Sequence, residues 1–135
     1  MGQDSKQHLH KLSQLLLRLH KTLLQFQKER QEALEDKSLS VYDVLHLSLT
    51  HANFEWLRKI TGRVARIDEA LDDKTIIVED LERSVVTEIH AMFFEESDDF
   101  ADFRKHLEQA QERDPMLTIQ ILEIKKTLGQ LPLSS

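Results

Sequence analysis

Apolar residues recur at intervals of three and four along most of this 135-residue chain, the spacing of one face of an α-helix. The first such series predicts a helix over about residues 5–35. Its apolar positions are Leu9, Leu12, Leu16, Leu19, Leu23 and Phe26. At about 1.5 Å per residue this helix would be about 45 Å long, and it would need partners along its length to be stable. The spacing therefore predicts a rod within a helical bundle, with a coiled-coil-like seam.

The stretch from Ser40 to Leu71 predicts a second long helix at the centre of the protein. Ser40 is a suitable N-cap, and Asp43 stands three residues later, where its carboxylate can reach back to the cap. The main apolar series along this stretch comprises Tyr42, Leu45, Leu49, Ala52, Trp56, Ile60, Ile67 and Leu71. A shorter series, Val44, Leu47 and Phe54, lies on nearly the opposite side at about 100° per residue. A continuous helix with this pattern is covered on two sides over its first half, so we expect it to be sandwiched. Within it, Gly62 indicates close backbone packing or a slight bend.

The remaining pattern predicts three further helices. The third begins near Val78 and ends at Phe94, before an acidic run at 95–99, and 76–78 forms an apolar connector ahead of it. The fourth follows Ser97, unless the third and fourth form one kinked rod. Asp114 and Pro115 mark the start of the fifth, and Gly129 marks its end. Its expected core face comprises Met116, Ile119, Leu122 or Ile121, and Leu128.

These elements predict an all-α antiparallel bundle resembling a four-helix bundle, with three long rods and a short C-terminal helix. We expect one domain over residues 1–135, with 1–4 and 132–135 disordered. The two-sided second helix further predicts a homodimer. Its expected interface comprises Val44, Leu47, His51 and Phe54, because self-pairing hides such a stripe. The alternative is that the fifth helix covers the stripe within the same chain.

Charge is unevenly distributed within a net charge of −6. Residues 1–28 hold five basic residues and one acid, whereas 68–102 hold thirteen acids and two basic residues. We expect the basic first helix to pack beside the acidic third. The alternatives are an anionic partner of the first helix or a basic partner of the acidic region. The overall acidity argues against nucleic acid as a partner. No apolar run approaches about 20 residues, so we expect no membrane association, and the lack of cysteine suits a cytoplasmic protein.

Seven histidines raise the question of a metal site, but their spacing does not form a common metal motif. His51 and His90 lie within apolar stripes, and with Glu55 they could still converge on an ion or small ligand. The alternative is that each histidine forms hydrogen bonds at the rim of an interface. His46, Thr50 and Asn53 form a polar column that could set helix register. We expect no bound metal and no cofactor.

Lys59, Arg63 and Arg66 form a basic patch on the second predicted helix that could bind an anion such as phosphate. Ordinary salt bridges to neighbouring helices are the alternative. No glycine-rich phosphate loop and no arrangement of a nucleophile beside a base accompanies the patch.

The sequence therefore favours a non-enzymatic helical interaction or regulatory module that binds a protein partner and forms a homodimer. A small metal- or ligand-binding bundle using His51, His90 and Glu55 is the first alternative. An anionic-ligand or nucleic-acid binder using Lys59, Arg63 and Arg66 is the second.

Overall fold

The computed structural model describes residues 2–72 and 78–130, which fold as an all-α bundle. The six α-helices of this part are α1 (Gly2–Glu35), α2 (Val41–Thr50), α3 (Glu55–Asp72), α4 (Val78–Phe94), α5 (Ala101–Arg113) and α6 (Met116–Leu128). Short 3₁₀ turns at Ala52–Phe54 and Asp98–Phe100 precede α3 and α5. The arrangement resembles a four-helix bundle in which α3, α4 and α6 pack around the long α1. The predicted fold class is confirmed.

The apolar series of α1 forms one side of the core, as its spacing predicts. Its six members, from Leu9 to Phe26, are all buried. The helix ends with Asp36 in the left-handed region (φ 51°), a conformation that Asp tolerates better than most residues. The N–H of Lys37 then donates to the carbonyl of Glu32 at 3.2 Å, which completes a Schellman-type end. This turn directs the connector 36–40 back along α1.

The start of α2 also follows the sequence. The Ser40 hydroxyl accepts a hydrogen bond from the Asp43 N–H at 3.0 Å, and the Asp43 carboxylate accepts one from the Ser40 N–H at 3.1 Å. This reciprocal pair is a capping box, and it holds the pKa of the Asp43 carboxyl below its ordinary value.

The prediction of one continuous helix from Ser40 to Leu71 is wrong. α2 ends at Thr50, and His51 adopts an extended conformation (φ −86°, ψ 137°) before the 3₁₀ turn. The His51 Nδ1 accepts a hydrogen bond from the Asn53 N–H at 3.0 Å. The Arg58 guanidinium donates to the carbonyls of Ser48 at 3.0 Å and His51 at 3.4 Å. These hydrogen bonds provide partners for backbone groups that lack a helical hydrogen bond at the break, so α2 can end without Gly or Pro.

The break reverses the expected burial of α2. Tyr42, Leu45 and Leu49, expected in the main seam, are 77%, 57% and 67% exposed. Val44 and Phe54, expected on the outer stripe, are 8% and 0% exposed. The single chain therefore places Val44 and Phe54 in its own interior, with Leu47 and His51 half-buried. Within the chain α2 packs mainly against α3 and not against α6. Val44 lines a groove together with Leu24 of α1 and Leu39 of the connector.

The second half of the chain follows the predicted boundaries but not every predicted face. α4 ends at Phe94 and α5 is a separate helix, so the two do not form one rod. In α6, Met116, Ile119 and Leu122 are exposed, and the core face is instead formed by Leu117, Ile121, Ile124, Thr127 and Leu128. Both sets have helical spacing because α6 is apolar on most sides, so periodicity alone could not choose between them.

Gly62 lies on an exposed part of α3, and a Cβ built there meets no atom within 4 Å. The expectation of close packing at this glycine is therefore wrong. The expected apolar connector at 76–78 lies outside the described residues except for Val78, where α4 begins. The expected C-terminal disorder at 132–135 lies wholly outside them. At the other end of the chain, where we expected disorder at 1–4, α1 already begins at Gly2.

Candidate functional site

A groove of about 420 Å³ runs between the second half of α1 and α2. Its floor is apolar and includes Leu24, Leu39 and Val44. Val41, Leu45 and Ser48 of α2 form one wall. His20, Lys21, Gln25 and Lys28 of α1 form the other. The groove thus has an apolar wall and a polar, basic wall.

The apolar surface continues from the groove onto the outside of α2. Val41 is 88% exposed, and Tyr42, Leu45 and Leu49 are each more than half exposed. These four side chains occupy one side of a ten-residue helix, because they are separated by one, three and four positions. Scattered single apolar residues are normal on protein surfaces, whereas a contiguous patch beside a concavity is typical of a binding site. We call Val41, Tyr42, Leu45 and Leu49 the α2 face.

The charged residues that line the groove are basic. The Lys28 Nζ lies 3.9 Å from the carboxylate of Glu32. The same carboxylate also accepts a hydrogen bond from the Leu39 N–H at 2.8 Å. Lys21 forms no ion pair with any residue in the described part of the chain, and it is exposed. His20 is half-buried, and burial lowers the pKa of its imidazole. No Asp or Glu is among the residues that line this groove.

The expected packing of basic α1 beside acidic α4 is observed, since the two helices contact each other. Among residues 6–72 and 82–130, whose side chains the structure describes, no salt bridge joins α1 to α4. The basic residues Lys11, Arg18 and Lys21 are exposed along α1. These three basic side chains of α1 therefore face solvent, and of the three only Lys21 lines the groove.

The anion-binding candidates are largely engaged with other side chains. Arg63 forms a salt bridge with Glu88, and Arg66 donates to the same carboxylate at 2.6 Å and to the Ser84 hydroxyl at 2.7 Å. Lys59 and Arg63 lie over the ring of Phe100, at 5.8 and 5.3 Å from its centroid. These contacts join α3 to α4 and to the turn before α5, and they agree with the salt-bridge alternative.

The metal candidates are placed in separate local contacts. His51 caps the 3₁₀ turn and packs edge-on against Phe54, with ring centroids 6.2 Å apart. The His90 imidazole donates to the Glu95 carboxylate at 2.7 Å. Glu55 is exposed at the start of α3. In the described segments no group of three or more His, Asp or Glu residues could hold a metal ion.

A polar cluster between α1, α3 and α5, buried at Gln27 and Trp56 and half-buried at Arg30 and His106, was not anticipated from the sequence. The Trp56 indole N–H donates to the side-chain oxygen of Gln27 at 3.1 Å, and Gln27 is only 1% exposed. The His106 ring stacks on Trp56 with centroids 5.0 Å apart. Arg30 donates to His106 Nδ1 at 3.2 Å and to Gln109 at 3.1 Å. The partners lie 29 to 79 positions apart in sequence, so no local pattern could reveal them.

This cluster predicts that acid destabilises the protein. Burial lowers the pKa of His106 below its ordinary value of 6.5, with nearby Arg30 acting in the same direction and Asp102 opposing it. At this imidazole the unfolded chain therefore binds more protons than the folded chain below about pH 6.5, so His106 contributes a fall in the free energy of unfolding as the pH decreases through that range. His20 contributes with the same sign.

Urea unfolding at several pH values between 7.5 and 5 would measure this effect. His106→Phe, which retains an aromatic ring over Trp56, should weaken the pH dependence, and His46→Phe serves as a control at an exposed histidine. A free energy of unfolding that is constant or rises on acidification would contradict the role assigned to His106.

Within residues 2–72 and 78–130, every helix is too short or too polar to span a lipid bilayer. Comparison with known proteins finds no matching protein-family model, no matching curated protein and no matching solved structure.

Proposed function

We propose that this chain is a non-enzymatic interaction module that binds a helix of a protein partner through the α2 face and the adjoining groove. The observation that carries the proposal is the exposure of four large apolar side chains on one short helix beside an apolar concavity. Covering such a surface removes apolar area from water and so favours association. Amphipathic helices bind in apolar grooves by the same means, with anchors at helical spacing.

The dimensions of the groove favour a short helix. α2 has ten residues and is about 15 Å long, so it can support about three turns of a parallel or antiparallel partner helix. Three apolar side chains of the partner helix, spaced over two turns, would pack between Leu24 of the floor and Leu45 of the α2 wall.

A second copy of the chain is the competing occupant, and it retains the idea of a homodimer with a different interface. The supporting observation is that the α2 face could meet its own counterpart around a two-fold axis. In this version Tyr42, Leu45 and Leu49 replace Phe54 at the contact, because Phe54 is buried within the chain.

Leu45→Asp is expected to weaken helix binding at least about tenfold, because it places a charge on the apolar wall of the groove. The probe is a fluorescent helical peptide with leucines at i, i+3 and i+7 and glutamines at its flanking positions, followed by anisotropy. Ile119→Asp is the matched control, since Ile119 is 50% exposed on α6, away from the groove lining.

Sedimentation of the wild type and Leu45→Asp, run in parallel, separates the two occupants. Dimers that Leu45→Asp converts to monomers would support a second copy in the groove. A wild type that binds no helical probe and is monomeric at high concentration would refute the interaction module.

A further inference from the structure

The two walls of the groove differ in the chemistry that they offer an occupant. The α2 wall presents Val41 and Leu45, whereas the α1 wall presents Lys21 and Lys28. These lysines are seven positions apart, so they project from the same side of α1 about 10 Å from each other. A helix lying in the groove would contact the α2 face with one side and these two ammonium groups with its flank.

We propose that the occupant is an acidic amphipathic helix of a partner protein, with Asp or Glu side chains about two turns apart along the flank that faces Lys21 and Lys28. This inference rests on the proposed function and adds the charge of the partner. The residues lining the groove include no acid that could neutralise both lysines. The ion pair of Lys28 with Glu32 is long, at 3.9 Å, and partly exposed, so a partner carboxylate can replace or join it.

The same charges disfavour a second copy as the occupant. Two-fold pairing would bring identical basic walls together, and like charges at an interface are repulsive. The segment of a second copy that would enter the groove is α2, whose acid is Asp43. Asp43 lies about 160° around α2 from Leu45 and is held in the capping box, so it faces away from an occupied groove.

Three peptides with the same leucines and with Glu, Gln or Lys at the flanking positions test the proposal. The Glu peptide is expected to bind the wild type roughly 2- to 30-fold more tightly than the Gln peptide, the range for two partly exposed ion pairs. The Lys peptide should bind most weakly. The advantage of the Glu peptide should shrink as salt is raised, because salt screens exposed charges.

The charge reversal Lys21→Glu with Lys28→Glu should invert the order, so that the Lys peptide binds most tightly. Lys11→Glu with Lys105→Glu is the control, since it makes the same change in net charge at exposed positions outside the groove lining. Far-UV circular dichroism checks that both double variants are folded.

The outcomes distinguish this inference from the function on which it rests. Equal binding of the Glu and Gln peptides, with both lost in Leu45→Asp, would retain the groove as a helix site and overturn the acidic partner. If the wild type binds no peptide but forms dimers that Leu45→Asp dissociates, the groove belongs to a second copy, and the acidic partner is again overturned. Absence of both peptide binding and self-association would overturn the module itself. Binding to anionic phospholipid vesicles but to no peptide would assign the two lysines to a lipid surface and overturn the acidic helix.

Discussion

Phe54→Ala is expected to lower the free energy of unfolding by about 3–5 kcal/mol, the usual cost of removing a fully buried aromatic side chain. Phe54 is 0% exposed, belongs to the main core and contacts the ring of His51 edge-on. Truncation to Ala removes apolar burial and leaves a cavity at the point where α2 joins α3. Urea unfolding followed by far-UV circular dichroism would measure the loss.

Tyr42→Ala is the matched control, because it also truncates an aromatic residue near α2 but at a position that is 77% exposed. Its effect on the free energy of unfolding should be within about 0.5 kcal/mol. If Phe54 instead lay on a dimer face, as the sequence pattern suggests, the effect of Phe54→Ala would depend on protein concentration. Equal, small losses for the two variants would contradict the placement of Phe54 in the core.

Gln27→Leu is expected to lower the free energy of unfolding by about 1–3 kcal/mol, because it leaves the buried indole N–H of Trp56 without an acceptor. Both residues are almost completely buried, at 1% exposure for Gln27 and 2% for Trp56, so water cannot easily replace the lost partner. Trp56→Phe, which removes the donor, should reduce the cost of Gln27→Leu.

A double-mutant cycle with Gln27→Leu and Trp56→Phe measures this coupling. The double variant should be more stable than the sum of the two single losses predicts, by about 0.5–3 kcal/mol. Gln14→Leu is the control for replacing a glutamine of α1, since Gln14 is exposed. Additive losses in the cycle would show that the hydrogen bond does not stabilise the fold.

The candidate site shows how closely a small local change controls the exposed surface of this protein. Had α2 and α3 been one helix, the side of the helix that carries Trp56 and Ile60 in the core would also have buried Leu45 and Leu49. The break at His51 uncouples the two segments, so α3 keeps its apolar side in the core while α2 turns its own outward. The α2 face exists because of that break.

Much of the local structure is determined by the sequence alone. Helical spacing in α1, the Ser40–Asp43 capping box and the stop before Gly129 all depend on residues within a few positions of each other. Local rules of this kind predict the fold class and most helix boundaries, because backbone hydrogen bonding and capping in helices are short-range.

Tertiary structure decided which apolar side of a helix is buried and where the second helix breaks. α2 and α6 are apolar on more than one side, so their orientation depends on the surfaces that α1 and α3 present to them. The break at His51 contains no Gly or Pro and is stabilised by Arg58, seven residues along the chain. The contacts of Trp56, His106 and Arg30 span three helices. Such choices depend on packing between distant segments, a free energy that no short window of sequence contains.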